Sequence, residues 1–186
     1  LYKDGLQREQ FLPFISIIKN YSIQKELSLK DDYRLKDLNE QQRLYYPLNE
    51  STLFMINKNF RELTRDKKKE IKKINTKGRD FIISNFYDGI LRFKFSDLCD
   101  KNLGAEDYIN ISNISDHIFI EEIPIFNDDN SNQQLRFITL IDILYEKKVI
   151  LSLSLESDLN NLGSSRKHVQ TFKRTISRLI ELTKKN

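Results

Sequence analysis

Three consecutive stretches, HIFIEEIPIF (117–126), QQLRFITLIDILYEKK (133–148) and VILSLSL (149–155), decide the fold. The first is a short apolar run closed by Pro124, which cannot continue a ladder. The second repeats its apolar residues at helical spacing, with Leu135, Ile138, Ile141, Leu144 and Tyr145 expected on the inward face. The third is apolar almost throughout, as a strand buried on both sides must be. Strand, helix and buried strand in that order predict a crossover between parallel strands. The polar stretch NDDNSNQQ (127–134) is the expected surface loop before the helix.

Working outward, RDFIISNF (79–86) and ILRFKFSD (90–97) flank Tyr87-Asp88-Gly89, and an Asp-Gly pair favours a tight hairpin turn. Leu91, Phe93 and Phe95 alternate with Arg92 and Lys94, which predicts one buried and one wet face. SDLCDKNLGAEDYINI (96–111) predicts two short helical pieces around Gly104. Upstream, Leu53, Ile56, Phe60, Leu63, Ile71 and Ile74 predict one helix from Glu50 to Ile74, with Asn49 or Ser51 as N-cap and Asn75, Thr76 and Gly78 as its stop. SIQKELSL (22–29) predicts a short strand, and residues 6–20 an amphipathic helix interrupted by Pro13. Phe172, Ile176, Leu179 and Ile180 form the stripe of a closing helix after the Gly163-Ser164-Ser165 break. The fold class is therefore α/β, a mixed sheet with a hairpin, a β-α-β crossover and flanking helices.

Composition fits a globular body: 186 residues, 39% hydrophobic and 31% charged, are enough to bury a core. No apolar run approaches the roughly 20 residues needed to cross a bilayer. That points to the cytosol or an organelle matrix. One cysteine, Cys99, and two histidines, His117 and His168, exclude a structural zinc site, and no metal ligand set is expected. The net charge of +4 is concentrated: residues 58–79 hold ten Lys or Arg against three acids, so the remainder of the chain is net acidic. Such a stretch is the solvated face of a helix, or it meets anionic lipid or nucleic acid. It lacks the interleaved aromatics that stack on bases, so nucleic acid is not the expected partner.

LYKDGLQREQFLPFI (1–15), DYRL (32–35), FSDLCDKNLGAEDYI (95–109), RFITLIDILYEKKVIL (136–151) and FKRTISRLIEL (172–182) follow one another as in a known family. In that order they resemble the C-terminal part of the ZapE-type ATPases, bacterial cell-division AAA+ P-loop proteins with mitochondrial, lactation-elevated-type relatives at the inner membrane. The resemblance spans Leu1 to about Leu182. It implies a division into the end of a nucleotide-binding core, 1–35, and a C-terminal mixed α/β domain, 36–186. It implies ATP and Mg2+ as cofactors of the full-length protein, a homo-oligomeric ring, cell-division or substrate proteins as partners, and a cytoplasmic protein peripheral to the inner membrane.

A phosphate-binding loop needs clustered glycines followed by Lys and Ser or Thr. The five glycines here are scattered at 5, 78, 89, 104 and 163. The span is thus expected to be the rear part of a longer chain and not to hydrolyse ATP alone. The resemblance puts Arg8 where an arginine reaches a neighbouring subunit's nucleotide. It offers Arg174 and Arg178, one helical turn apart, as a basic nucleotide sensor. The plain readings are an exposed Arg8 paired with Glu9 or Asp4, and solvent-side charges at 174 and 178. Glu121 and Glu122 look like the acidic, magnesium-binding end of an ATPase strand but read as structural, since no phosphate loop accompanies them and Pro124 follows. His117 has no carboxylate or cysteine neighbour at catalytic spacing, and Cys99, near Phe95 and Leu98, reads as a small core residue. A non-enzymatic adaptor, binding division proteins, membrane or nucleic acid through residues 58–79, is the alternative function. An open sheet edge is expected to promote self-association.

Overall fold

The computed structural model describes residues 8–21 and 43–185, with the side chains of Arg8–Phe11, Ile15 and Lys19 outside that description. Contacts divide the chain into two compact units, Leu1–Asp37 and Leu38–Asn186. From the first, helix α1 (Arg8–Tyr21) carries Pro13 in its interior, close to the expected span. The strand expected at 22–29 and the domain boundary expected at 35/36 lie outside the described residues.

The second unit is built on a six-stranded mixed sheet in the order β1-β6-β5-β4-β3-β2. Its elements are β1 (Leu44–Tyr45), α2 (Glu50–Thr64), β2 (Glu70–Thr76), β3 (Arg79–Tyr87), β4 (Ile90–Lys94), α3 (Phe95–Cys99), α4 (Ala105–Ser112), β5 (His117–Ile123), α5 (Ser131–Glu146), β6 (Ile150–Leu155) and α6 (Val169–Leu182). Strands β4, β5, β6 and β1 run parallel, and β2 and β3 are antiparallel additions at one edge. The crossover β5-α5-β6 is present as expected, and a second one, β4 through α3 and α4 to β5, precedes it. The mixed α/β class read from the sequence is the class observed.

The β3-β4 hairpin turns at Asp88 and Gly89, both in the left-handed region (φ 45° and 80°). A side chain at 89 would also place its Cβ 2.1 Å from an Asp116 carboxylate oxygen, because the Gly89 carbonyl accepts the N–H groups of Asp116 and His117. Glycine is needed there twice over, for conformation and for room. Asn49 caps α2: its side chain accepts the Thr52 N–H at 2.9 Å while Thr52 Oγ1 accepts the Asn49 N–H at 3.1 Å. The reciprocal pair satisfies two otherwise orphaned donors.

The helix expected from Glu50 to Ile74 ends ten residues earlier, at Thr64. Residues 70–76 form β2 instead, paired with β3 across a tight turn at Lys77 and Gly78 (φ 51° and 80°). Ile71 and Ile74 fit both periods, and the pairing of Ile74 with Phe81 and Lys72 with Ile83 outweighs the helix propensity of the lysines. Asn75 to Gly78 is thus a hairpin turn, not a helix stop. The inward face of α5 also shifts: Leu135 is half exposed and Tyr145 partly so, while Phe137, Ile138, Leu140, Ile141 and Leu144 are buried. On α6, Phe172 and Leu179 are buried as expected, and Ile176 and Ile180 pack half-buried against the same core.

The sheet separates two hydrophobic layers. On one side α3, α4, α5 and α6 bury the main core with Leu91, Phe93, Ile118, Ile120, Leu151 and Leu153. On the other, α2 alone lays Ile56 and Phe60 over Tyr45, Ile90 and Phe119. Among the described residues, no helix is long and apolar enough to cross a membrane.

Candidate functional site

The α2 side of the sheet gathers polar side chains that the strand order alone brings together. Residues 90, 92, 117, 119, 121, 152 and 154 alternate onto this side because successive side chains of a strand point to opposite faces. Arg92 on β4 stands in register with Phe119 on β5, two positions from Glu121. Its Nε and Nη2 reach the two Glu121 carboxylate oxygens at 3.0 and 2.6 Å, and Nη2 also donates to Asn57 Oδ1 of α2. The guanidinium lies 4.8 Å over the Phe60 ring. The side of β4 expected to be wet is therefore partly covered, and Arg92 is the residue that joins helix to sheet. A bidentate, stacked arginine of this kind is fixed in place, unlike a lysine.

One strand end away, His117 Nε2 and Ser152 Oγ share a hydrogen bond at 2.9 Å, and the imidazole stacks on Phe119 at 4.8 Å. Burial, helped by the positive charge of Arg43, lowers the His117 pKa to about 4. It is a neutral strand-end histidine, as its sequence setting indicated. Glu122, the next residue after Glu121, adopts φ 60° where the β5-β6 register slips, and its carboxylate meets Lys94 at 2.8 Å on the surface. Glu121 and Glu122 are thus each ion-paired, the first with Arg92 and the second with Lys94. Cys99 is buried among core residues, and burial raises its thiol far above the usual range, so it is not a nucleophile.

Arg174 and Arg178 do share a face of α6, and both point at Asp142 of α5. Arg174 Nη2 lies 3.1 Å from Asp142 Oδ2, and Arg178 Nη1 bonds the other carboxylate oxygen. Arg178 also stacks 4.8 Å over the Tyr145 ring, whose hydroxyl donates to Glu181 at 2.8 Å. Two of the sequence blocks singled out above, 136–151 and 172–182, are thus clamped to each other by charge. Arg174, the more exposed of the two, is the one with freedom to leave its partner. Arg8 opens α1, and its side chain lies outside the described residues.

Sequence reasoning did not find Asn57, Arg92 or Asp142. The signals were present: an arginine between apolar residues in LRFKF and an acid inside the apolar run LIDIL. Their partners lie 29 and 36 positions away along the chain for Arg92–Glu121 and Asp142–Arg178, and only the fold brings them close.

Mg-ATP needs a glycine-rich backbone cradle and an acidic metal ligand set. The sequence has no such loop, and among the described residues no group of three or more His, Cys, Asp or Glu could hold a metal ion. These residues do not fit a self-contained Mg-ATP site.

The basic stretch 58–79 is not one helix, since it runs from α2 through a turn into β2 and the turn beyond. Acids meet Lys58, Lys67, Lys72, Lys73, Lys77 and Arg79 within 4.0 Å. Much of its charge is already paired.

The profile of a family described as AFG1-like ATPase matches residues 1–186. The chain is 33% identical over 165 residues to lactation elevated protein 1 homolog B of Danio rerio, covering 87% of this chain and 33% of that protein. It is 28% identical over 182 residues to the cell division protein ZapE of Escherichia coli, covering 98% of this chain and 48% of that one. The chain thus spans between a third and about half the length of these curated relatives. No solved structure matches it significantly.

Proposed function

The chain belongs to the AFG1-like ATPase family, and from that premise we propose that it is the C-terminal part of an AAA+ ATPase whose ATP hydrolysis drives protein-remodelling or cell-division work. The observation that carries this reading is the family match across all 186 residues. The division work is taken from the name of the E. coli relative. In this reading ATP and Mg2+ are held by residues outside the 186 described by the sequence, and the full-length protein assembles as a homo-oligomer. The six-stranded body then acts as a rigid attachment that carries motion to a substrate or partner protein. The protein works in the cytoplasm, with contact at the inner membrane surface.

Within this reading Arg8 reaches the nucleotide of a neighbouring subunit, and Arg174, exchanging Asp142 for a phosphate, senses it. Arg178 serves as the fixed member of the pair, held by Asp142 and Tyr145. The test is ATP turnover. The purified 186-residue chain is expected to show none, and measurable turnover by it overturns the assignment. In a longer protein carrying a phosphate-binding loop, Arg8→Ala is expected to lower kcat by about a thousandfold, the lower range for an arginine acting across a subunit interface. Unchanged turnover in that variant removes Arg8 from the chemistry.

A further inference from the structure

Among the described residues, helical cover on the α2 side of the sheet reaches four of its six strands. Helix α2 lies over β1, β4, β5 and β6, and its aromatic contacts end at Tyr87, whose ring meets Phe60 edge-on at 5.4 Å. Beyond Tyr87, Ile82 of β3 is directly opposite Lys73 of β2, and Ile71 lies two residues along on the same side. Ile71 is 72% exposed and Ile82 61%, against complete burial of Ile83 on the reverse face. The flank of α2 adds Phe54, 62% exposed. Between helix and hairpin runs an open groove of about 500 Å³, lined by Phe54, Asn57, Phe60, Arg61, Asn85, Tyr87 and the Glu121-paired Arg92. Large apolar side chains left exposed on the hairpin and on the helix that flank a groove point to a contact site.

The charge around it indicates the partner. Of the ten cations in 58–79, six have acidic partners. Arg61, Arg65, Lys68 and Lys69 have no ion-pair partner among the described residues. Arg61 lines the groove itself, and the other three lie on the connection from α2 to β2. An occupant must therefore bring carboxylates for these cations and apolar side chains for Phe54, Ile71 and Ile82.

Nucleic acid fits this surface less well. Base stacking on a strand needs several free aromatic faces, and of the groove's rings only Phe54 offers one: Tyr87 is engaged by Phe60, and the Phe60 face carries Arg92. Isoleucines offer nothing to a base plane. Carboxylates of Glu62, Glu70 and Asp80 stand among the cations and would repel a uniformly anionic strand.

We propose that the groove between α2 and the β2-β3 hairpin docks a protein segment that combines acidic side chains with aliphatic or aromatic anchors. Binding of this kind needs no nucleotide, so it stands or falls separately from ATP turnover.

The experiment uses the full 186-residue chain and a fluorescein-labelled peptide of Glu, Leu and Phe. Fluorescence anisotropy is read beside three controls: the same peptide with Ser for Leu and Phe, a single-stranded oligothymidylate, and vesicles containing phosphatidylglycerol. Saturable binding of the acidic, apolar peptide is expected, weakened about tenfold by Phe54→Ser and by Arg61→Glu, as for residues central to an interface. Both side chains are exposed, so thermal unfolding of the variants should match the parent. Absence of saturable binding overturns the proposal. So does equal binding of any control, or variants that bind as tightly as the parent.

Discussion

On the side of the sheet that faces α3 to α6, the strands contribute Leu91, Phe93, Ile118, Ile120, Leu151, Leu153 and Leu155, all of them apolar and nearly all fully buried. On the side that faces α2, the same three strands contribute Ile90, Arg92, His117, Phe119, Glu121, Ser152 and Ser154. The first layer is held by area, which is non-directional and tolerates a partner of similar volume. The second is held by named pairs, each of which requires a particular register between β4, β5 and β6. A single slip of one residue would turn Arg92 into the apolar layer and leave Glu121 buried without its cation. The polar face thus fixes the register, and the apolar face supplies most of the stability.

If that division is right, the largest loss should come from the apolar side. Phe137 on α5 is fully buried and touches Phe95 and Phe126, with ring centroids 5.8 and 5.6 Å away. Phe137→Ala is expected to cost about 3–5 kcal/mol, the range for a large aromatic removed from a packed core. The shift of the urea midpoint at unchanged slope measures it. A cost below about 1 kcal/mol would show that this layer is loosely packed and would break the comparison.

The polar face should declare itself through pH. His117 is held neutral by burial, with its pKa lowered to about 4, against about 6.5 in an unfolded chain. Between those values the unfolded state binds the proton and the folded state does not. Stability contributed here is complete above about pH 6.5, falls as the pH drops through the window, and stops falling below about pH 4. The loss over the window is on the order of 3 kcal/mol. His117→Gln, which titrates nowhere in this range, should flatten the stability curve between pH 6.5 and 4 relative to the parent. Parallel curves for the two proteins would mean that His117 takes up its proton without opening the fold.

What the sequence made legible follows the same division. The hairpin at Asp88-Gly89, the Asn49 cap, the parallel crossover and the stripe of α6 were readable because each rests on local chemistry or on one apolar period. The end of α2 was not, because lysines and two isoleucines suit a helix and an edge strand alike, and the choice fell to the cross-strand pairing of Ile74 with Phe81. The shared face of Arg174 and Arg178 was visible from their spacing, but not their common partner, Asp142 on another helix. Arg92 read as a wet residue because nothing near it in the chain announces Glu121 or the approach of α2.

Arg92 also gives the sharpest test of how the polar face works. A paired charge and a stabilising charge are different things, since desolvating both partners offsets much of their attraction. Arg92 and Glu121 retain 20% and 12% side-chain exposure, so the penalty for isolating either is reduced by residual water. Arg92→Met should cost about 2 kcal/mol, because it leaves the Glu121 carboxylate and Asn57 Oδ1 without their donor and removes the charge stacked on Phe60. Glu121→Leu alone should cost a similar amount for the complementary reason. The double variant should recover most of either loss, leaving a cost of about 1 kcal/mol and so a coupling of about 3 kcal/mol in a double-mutant cycle. Strict additivity would mean that the two side chains are adjacent without being coupled, and register would then have to be set elsewhere. If the coupling appears, the double variant, stable but without its polar pin, should show faster amide exchange along β4 and β5 than the parent, while α5 and α6 on the apolar face keep their protection.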